Sequence, residues 1–438
     1  MTNFARYDPS MASRESQVDV VVVGAGAAGI LAAWRAAALG ASVLLLEKNE
    51  RIGTKILISG GGRCNITHDG PIETLLGAFR PNEARFLRPS CYRFTNTDIV
   101  DMLTARGLEV TTRADGRIFP THGTAKDVVA ILGQYLDRAG VSVRLHCGVT
   151  GIEGDSTGVR GVRVGRELIP AAQVVLAVGG MSYPGAGTTG DGYPWARELG
   201  HTIVKVRAAL APIFLATAPP PEWPGVAVRD IVLKARQNGR EIARWRGDML
   251  FTHRGVSGPT VLGISRVIAE RQREGAVMLE ADLSPDHSFE ALADQIREWA
   301  AAHPRRAVGS FLEPLLPNRL VDATLEAAGI DKSITGAYLS RKEQNRLVVM
   351  LKGWAVGAVE HVPLEKGEVV AGGVELEEVD PRTMRSRIVP GLYLCGEILD
   401  IAGPVGGYNL QAAFSTGYVA GETAAKDLKD AKDPMQKE

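Results

Sequence analysis

The sequence has 438 residues, of which 45% are hydrophobic and 23% charged, and its 50 basic and 50 acidic side chains cancel. This length exceeds what one hydrophobic core usually supports, so two or three domains are expected. The charge balance disfavours a nucleic-acid or anionic-membrane binder, because such proteins carry a basic surplus. Four cysteines without a C-x-x-C pair indicate neither a metal centre nor a disulfide framework, and they fit a cytoplasmic protein.

The first 200 residues predict a doubly wound parallel sheet. Residues 1–17 are charged and lack the apolar segment of a signal peptide, so they are predicted to be a disordered tail. Residues 18–47 predict a strand, a turn, a helix and a strand, because glycines and Arg35 interrupt the apolar stretch that could otherwise suggest a membrane span. The following pattern predicts further helices and strands over 97–106, 108–111, 125–139, 141–146 and 173–178.

The pattern changes after residue 200. Asn238-Gly239 lies between two strand-like segments, 231–235 and 241–245, and favours a type I′ hairpin turn. The whole pattern predicts a domain whose two parts, 18–200 and 356–425, are separated by an insert at 201–355. The insert is predicted to contain antiparallel strands over 201–286 and helices over 287–352. The last helix is predicted to begin at Leu410, and the charged tail at 426–438 to be frayed.

A glycine motif lies where the first strand turns into the first helix. Gly24 permits the tight turn, Gly26 lets a pyrophosphate reach the backbone, and Gly29 lets the helix pack against the strand. Glu47 ends the second strand 23 residues after Gly24, where a carboxylate can accept both ribose hydroxyls. Together they predict a bound adenine dinucleotide without a ribose 2′-phosphate. The candidate residues here are Gly24, Ala25, Gly26, Ala27, Ala28, Gly29 and Glu47.

Three further segments carry site signals. A glycine run followed by a cation, a thiol and an amide suits backbone lying against a flat ring and a diphosphate, although a flexible loop is the alternative. A strand ending in two glycines suits the crevice at the carboxyl ends of the strands, and residues 189–192 could line the same crevice or form an ordinary glycine turn. Glycines ahead of the last helix aim its N-terminal amides at an electron-rich acceptor. Glu397 either bonds a ribityl hydroxyl, which we favour, or caps a turn. The candidates are Gly61, Gly62, Arg63, Cys64, Asn65, Ala177, Val178, Gly179, Gly180, Asp191, Gly396, Glu397, Gly407, Asn409, Leu410 and Gln411.

His253 is the weak candidate for a catalytic acid or base, in the polar segment 251–259. A lone histidine in a loop is more often structural. No histidine pair has the spacing of metal ligands, so no catalytic metal is expected.

These segments resemble the bacterial BaiN-like flavoproteins, the YhiN and aminoacetone-oxidase-like branch of the FAD-dependent oxidoreductases. The segments that carry the resemblance run in order through most of the chain: Gly24–Gly29, Glu47-Lys48, Lys55–Asn65, Asp115–Pro120, Gly179–Pro184, Thr252-His253, Gly255, Ser257–Pro259, Thr383-Met384, Ser386, Gly396-Glu397 and Gly406–Gln411. Val178 departs from the pattern, because many relatives carry threonine there.

The resemblance implies an α/β fold, namely a Rossmann-type FAD-binding domain with a GR2-like doubly wound sheet, interrupted by a β-barrel-like insert with a small helical subdomain. It implies non-covalent FAD, and it adds Lys48 and Val149 to the residues expected to contact this cofactor. The expected activity is hydride transfer between the flavin and a small organic substrate, in enone-type reduction or amine oxidation.

NAD(P)H or O2 would be the second partner, and NAD(P)H would bind transiently because the sequence shows one full nucleotide fingerprint. The alternatives are a flavin-dependent RNA-modifying protein, which the zero net charge disfavours, and a flavin-binding protein without turnover. We expect a monomer or homodimer with no nucleic-acid or membrane partner.

Overall fold

The computed structural model describes residues 18–432, which form two compact units. The first unit comprises the described residues up to Val206 and from Val369 onward, and the second comprises Arg207–Glu368. The predicted tail at 1–17 lies outside the described residues, as do 433–438. Within 18–432, no helix combines the length and the apolar character needed to cross a bilayer.

The first unit is built on a seven-stranded sheet whose central strands are parallel, in the order β6-β2-β1-β9-β18, with β8 and β7 added antiparallel. The apolar runs of β1 and β2 are almost wholly buried, as expected for a parallel sheet covered on both faces. A small sheet, β3-β5-β4, lies beside it. The strands of this unit are β1 (Val18–Val23), β2 (Val43–Leu46), β3 (Thr67–His68), β4 (Val110–Thr112), β5 (Arg117–Pro120), β6 (Ser142–Arg144), β7 (Val149–Asp155), β8 (Gly158–Val164), β9 (Glu167–Leu176), β17 (Val369–Val374) and β18 (Leu392–Leu394). β10 (Ile203–Ala209) leads from the first unit into the second.

Helices complete the first unit, and its last helix packs directly on its first. A Cβ atom at Gly417 or Gly421 would lie 2.1 Å from the carbonyl oxygen of Ala28 or Ala32, so glycine is required for this close crossing. The helices are α1 (Ala27–Ala38), α2 (Thr54–Ile58), α3 (Ile72–Gly77), α4 (Pro81–Arg93), α5 (Asn96–Thr104), α6 (Ala125–Arg138), α7 (Gly192–Glu198) and α13 (Tyr408–Lys432).

The last helix corrects the sequence prediction at its end. It was expected to begin at Leu410 and to fray after residue 425, but α13 continues to Lys432. Leu428 is buried, and Asp427 accepts hydrogen bonds from the Arg385 side chain and from the Tyr393 hydroxyl. These contacts with distant residues hold a charged segment helical that local sequence alone indicates to be frayed.

The second unit is a closed six-stranded barrel, in the order β11-β14-β13-β12-β15-β16, with a group of helices. Asn238 and Gly239 both have positive φ, 51° and 76°, which confirms the predicted hairpin turn. The strands are β11 (Ile213–Leu215), β12 (Ala227–Gln237), β13 (Arg240–Thr252), β14 (Gly255–Ser257), β15 (Val277–Asp282) and β16 (Trp354–His361). The helices are α8 (Pro259–Arg271), α9 (Phe289–Ala302), α10 (Gly309–Leu312), α11 (Asn318–Ala327) and α12 (Arg341–Lys352).

The prediction of antiparallel strands throughout 201–286 missed α8. Pro259 occupies the first turn of this helix, where proline is favoured, and Val261, Ile264 and Ile268 bury one face. The predicted fold class is otherwise confirmed.

Candidate functional site

The first glycine motif separates packing positions from an open position. A Cβ atom added to Gly24 would lie 2.7 Å from the Ala177 carbonyl oxygen, and one added to Gly29 would lie 1.8 Å from the Gly24 carbonyl oxygen. At Gly26, in contrast, a Cβ atom would meet no protein atom within 4 Å. Gly24 and Gly29 therefore pack the turn against the end of β9, while Gly26 leaves space above the backbone for a ligand.

The start of α1 offers free amides beside this space. The Ile30 amide donates to the Gly26 carbonyl, so the amides of Ala27, Ala28 and Gly29 precede the first helical hydrogen bond. No side chain of the described residues caps this end of the helix. Amides and helix dipole together suit an anion such as a pyrophosphate.

Glu47 lies buried at the end of β2, against the glycine turn. Its Oε2 accepts from the Ala25 amide and its Oε1 from the Asn49 amide, both at 2.8 Å. These two bonds fix the carboxylate, and each oxygen keeps a further lone pair for a ribose hydroxyl. The position and chemistry of Glu47 therefore fit the adenosine ribose.

Lys48 is joined to the loop that follows β9. Its Nζ donates to Thr189 Oγ1 at 2.5 Å and to Asp191 Oδ2 at 2.6 Å. Burial raises the pKa of Asp191, but the hydrogen bonds from Lys48 and Thr189 outweigh it and leave that pKa below its ordinary value. Val149 begins β7 close by, because a Cβ atom at Gly148 would lie 3.8 Å from the Lys48 Cβ.

Lys55 makes an ion pair that sequence reasoning missed. Its Nζ donates to Glu397 Oε2 at 2.6 Å and to Ser182 Oγ at 2.8 Å, and the Val370 amide donates to Glu397 Oε1 at 3.0 Å. Lys55 and Glu397 are 342 positions apart, so no local spacing could reveal the pair. The carboxylate also lies against the end of β9, since a Cβ atom at Gly180 would be 3.2 Å from the Glu397 Cδ.

The second glycine motif forms a turn with left-handed backbone. Gly60, Gly61 and Gly62 have φ values of 56°, 68° and 83°, and a Cβ atom at Gly61 would meet nothing within 4 Å. Cys64 is fully buried, and burial raises the pKa of its thiol to about 12. A thiol protonated at neutral pH is a poor nucleophile, and the contact of Cys64 with the cofactor stays a prediction.

Amide side chains join this glycine turn to the start of α13. Asn65, oriented to satisfy its neighbours, donates to the Thr67 carbonyl at 3.2 Å and accepts from the Gly407 amide at 2.9 Å. The buried Gln411 side chain accepts from Thr67 Oγ1 at 2.7 Å. These two side chains therefore join Thr67, which follows the glycine turn, to the start of α13.

The start of α13 is a second set of free amides. The Gln411 amide donates to the Gly407 carbonyl, so the amides of Tyr408, Asn409 and Leu410 precede the first helical bond. The Asn409 side chain accepts from the Gly403 amide at 2.8 Å and fixes the loop ahead of the helix. Such amides suit an electron-rich acceptor like the pyrimidine edge of a flavin.

The remaining predicted residues fall into two places. Gly179, with a φ of 73°, and Val178 follow β9, and Gly396, with a φ of 76°, follows β18 on the neighbouring strand. His253 lies in the second unit, in the exposed turn between β13 and β14. The structure therefore brings the cofactor candidates together in the first unit and leaves His253 as a separate prediction.

A serine, a histidine and a glutamate are aligned elsewhere in the first unit. His201 lies between Ser386 Oγ at 2.9 Å and Glu378 Oε2 at 3.1 Å, as in a hydrolase triad. However, the His201 side chain is fully buried, and Ser386 Oγ accepts from the amides of Ile388 and Val389. A hydroxyl that accepts two backbone hydrogen bonds beside a buried histidine stabilises the local structure and is not available as a nucleophile.

The doubly wound sheet, the open glycine turns, the buried Glu47 carboxylate and the two helix starts are the arrangement expected of a Rossmann-type FAD-binding flavoprotein. Residues 18–423 match the model of the HI0933-like protein Rossmann domain, and the chain belongs to this family of FAD-dependent oxidoreductases. The resemblance inferred from the motifs is thereby confirmed.

Two relatives cover almost the whole chain. The chain is 33% identical over 421 residues to the ribosomal RNA dihydrouridine synthase of Escherichia coli K12, and the aligned region covers 94% of this chain and 98% of the relative. It is also 33% identical over 414 residues to the 3-dehydro-bile acid delta(4,6)-reductase of Clostridium scindens, covering 92% and 98%. Among solved structures, the 3-ketosteroid delta1-dehydrogenase from Sterolibacterium denitrificans shares the fold, with a TM-score of 0.53, 14% identity and coverage of 94% and 100%.

Proposed function

We propose that this flavoprotein reduces a carbon–carbon double bond conjugated with a carbonyl group. The observation that carries the proposal is the equal similarity, 33%, to two relatives whose names denote this one chemistry. Uracil has its double bond conjugated with a carbonyl, and so has a 3-keto steroid unsaturated next to the ketone. Neither relative is named for amine oxidation, so enone-type reduction is favoured over it.

The residues of the first unit support this chemistry by binding and orienting the cofactor. Bound FAD would supply hydride transfer at the flavin N5. The free amides of α1 would hold the pyrophosphate, Glu47 the ribose, and the start of α13 the pyrimidine edge of the flavin. The Lys55–Glu397 pair, beside the end of β9, would orient the middle of the dinucleotide.

Reduction of a substrate requires a donor of electrons, and we propose NAD(P)H for this role. The sequence has one full nucleotide fingerprint, which the FAD would occupy. The nicotinamide cofactor would therefore bind transiently, deliver its hydride and leave before the substrate enters.

A uridine in RNA is the second candidate substrate. The similarity to a ribosomal RNA dihydrouridine synthase favours it, against the expectation from net charge that no nucleic acid binds. The two candidate substrates, a small enone and a uridine in RNA, differ in the molecule that contains the double bond, but the reaction is the same.

The test is anaerobic reduction and reoxidation of the purified holoprotein. NADH or NADPH should bleach the flavin, and a steroid enone or a uridine-containing RNA should restore its colour in the absence of oxygen. The matched control is the same steroid with its double bond saturated, which should leave the flavin reduced. Reoxidation by neither conjugated substrate, or equally by the saturated control, would contradict the proposal, and turnover of amines would replace it.

A further inference from the structure

Three guanidinium groups surround one buried aromatic ring in the first unit. The ring is that of Phe119 in β5, and the guanidinium carbons of Arg113, Arg63 and Arg117 lie 4.3, 5.6 and 5.9 Å from its centre. The segment containing Phe119 and Arg117 is one of those that carry the family resemblance, and cofactor binding does not account for it.

The charge of this group is only partly compensated. Arg117 Nε donates to Asp115 Oδ2 at 2.8 Å, and this hydrogen bond holds the pKa of Asp115 below its ordinary value, with a smaller contribution from Arg113. Within residues 18–432, no salt bridge joins Arg63 or Arg113 to a carboxylate. Three cations around one anion repel one another, and a second anion would relieve this repulsion.

The geometry leaves the Arg113 guanidinium able to bind an oxyanion. An arginine stacked on an aromatic face keeps its edge N–H groups directed outward, in the fork that matches a carboxylate or phosphate. Arg63 is exposed and Arg113 half-buried, so a ligand can reach them from solvent.

Phe119 also connects this group to the glycine turn. A Cβ atom at Gly60 would lie 3.0 Å from Phe119 Cε1, so the ring packs directly against the turn, and Arg63 follows that turn in the chain. An oxyanion bound by Arg113 would therefore lie beside the ring that packs against the glycine turn proposed to bind the cofactor.

We propose that Arg113, stacked on Phe119 beside the predicted cofactor contact Arg63, forms a subsite for an oxyanion carried by the molecule that the flavin reduces. The inference rests on the proposed function and names its substrate class, an enone bearing a carboxylate or phosphate. The oxyanion has two sources, the carboxylate of a small acid and the backbone phosphate of RNA, which the experiment separates.

The experiment measures binding to the holoprotein by calorimetry. The probes are a steroid enone with a side-chain carboxylate and its methyl ester, and a uridine-containing RNA oligonucleotide and its neutral methylphosphonate analogue. The variants are Arg113→Gln, Arg113→Lys and the control Arg106→Gln, which removes a guanidinium 4.7 Å from the Tyr135 ring. Flavin content and thermal unfolding establish that each variant is folded, and Arg113→Lys preserves the charge if Arg113→Gln does not fold.

We expect one anionic probe to bind about tenfold more tightly than its neutral partner, the effect of one charge-assisted hydrogen bond. Arg113→Gln should reduce this ratio to near one, Arg113→Lys should retain part of it, and Arg106→Gln should retain all of it. Preference for the acid identifies a small substrate, and preference for the charged oligonucleotide identifies RNA.

Equal affinity for charged and neutral probes of both kinds, or equal loss in Arg113→Gln and Arg106→Gln, would overturn the subsite. Failure of the proposed function gives a different result. If charge-selective binding persists but no enone reoxidises the reduced flavin, the reaction is wrong and the subsite stands. If acid and ester bind and reoxidise it equally, the reaction stands without the subsite.

Discussion

Replacing Glu47 with alanine should separate cofactor binding from folding. The carboxylate is buried, and two backbone amides hold it at the end of β2. In the apoprotein the change leaves the Ala25 and Asn49 amides without their acceptor. In the holoprotein it would also remove the proposed acceptor for the two ribose hydroxyls.

The magnitude follows from these bonds. A hydrogen bond to a charged group contributes about 1.5–3 kcal/mol, so loss of two ribose bonds should weaken FAD binding by at least about 3 kcal/mol, or roughly 100-fold. Each buried amide left without a partner should cost about 1–3 kcal/mol in the stability of the apoprotein. Glu47→Gln keeps the side-chain volume but turns one acceptor into a donor, so its effects should be intermediate.

The assay is FAD titration of the apoprotein, with urea unfolding of the same preparation. Asp19→Ala is the matched control, because Asp19 Oδ2 accepts from the Ser42 amide at 2.9 Å at the opposite end of β1 and β2. This control should bind FAD with unchanged affinity. Wild-type FAD affinity in folded Glu47→Ala would refute the assignment of the carboxylate to the ribose.

Further predictions test other parts of the first unit. Gly26→Ala should fold normally and bind FAD at least tenfold more weakly, whereas Gly29→Ala should unfold at lower temperature, because only Gly26 has space for a Cβ atom. Thermal unfolding and FAD titration measure the two effects. A destabilised Gly26→Ala beside a stable Gly29→Ala would contradict the assignment. Lys55→Met leaves the Glu397 carboxylate without its cation and should destabilise the half-buried site by about 1–2 kcal/mol in urea unfolding, and Lys55→Arg should recover part of this. Burial lowers the pKa of His201 below its ordinary value of 6.5. Below about pH 6.5 the unfolded chain therefore binds a proton that the folded chain does not, and the free energy of unfolding should fall as the pH is lowered. His201→Gln should remove the contribution of this residue to the pH dependence of unfolding.

The glycine turn and the position of Glu47 beside it could be predicted from sequence because their determinants are local. Gly24, Gly26 and Gly29 lie in one turn, and Glu47 follows at the spacing that one helix and one strand impose. The structure shows the positive φ of the predicted tight turn at Gly24, close packing at Gly29 and open space at Gly26, while the pyrophosphate contact stays a prediction. The contacts of Asn65 with Thr67 and Gly407 and of Gln411 with Thr67 were not predicted, and the expectation that these two residues contact the cofactor stays a prediction.

The features that sequence did not reveal depend on residues far apart in the chain. Lys55 meets Glu397 across 342 positions, and the continuation of α13 to Lys432 depends on contacts such as that of Asp427 with Arg385. Periodicity and turn chemistry describe a window of a few residues, so they cannot predict which distant side chains will meet.

In the first unit, the groups proposed to bind the dinucleotide differ from those that could determine substrate specificity. In the proposed function, backbone amides at two helix starts and the Glu47 carboxylate bind the dinucleotide, and none of these groups would distinguish one substrate from another. Specificity therefore needs side chains that lie near the glycine turn but serve neither the core nor the dinucleotide. Arg113 meets this condition, because it lacks a salt-bridge partner within the described chain and stacks on the ring that packs against Gly60. Variation at Arg113 should consequently change which substrates are reduced while the flavin content stays constant.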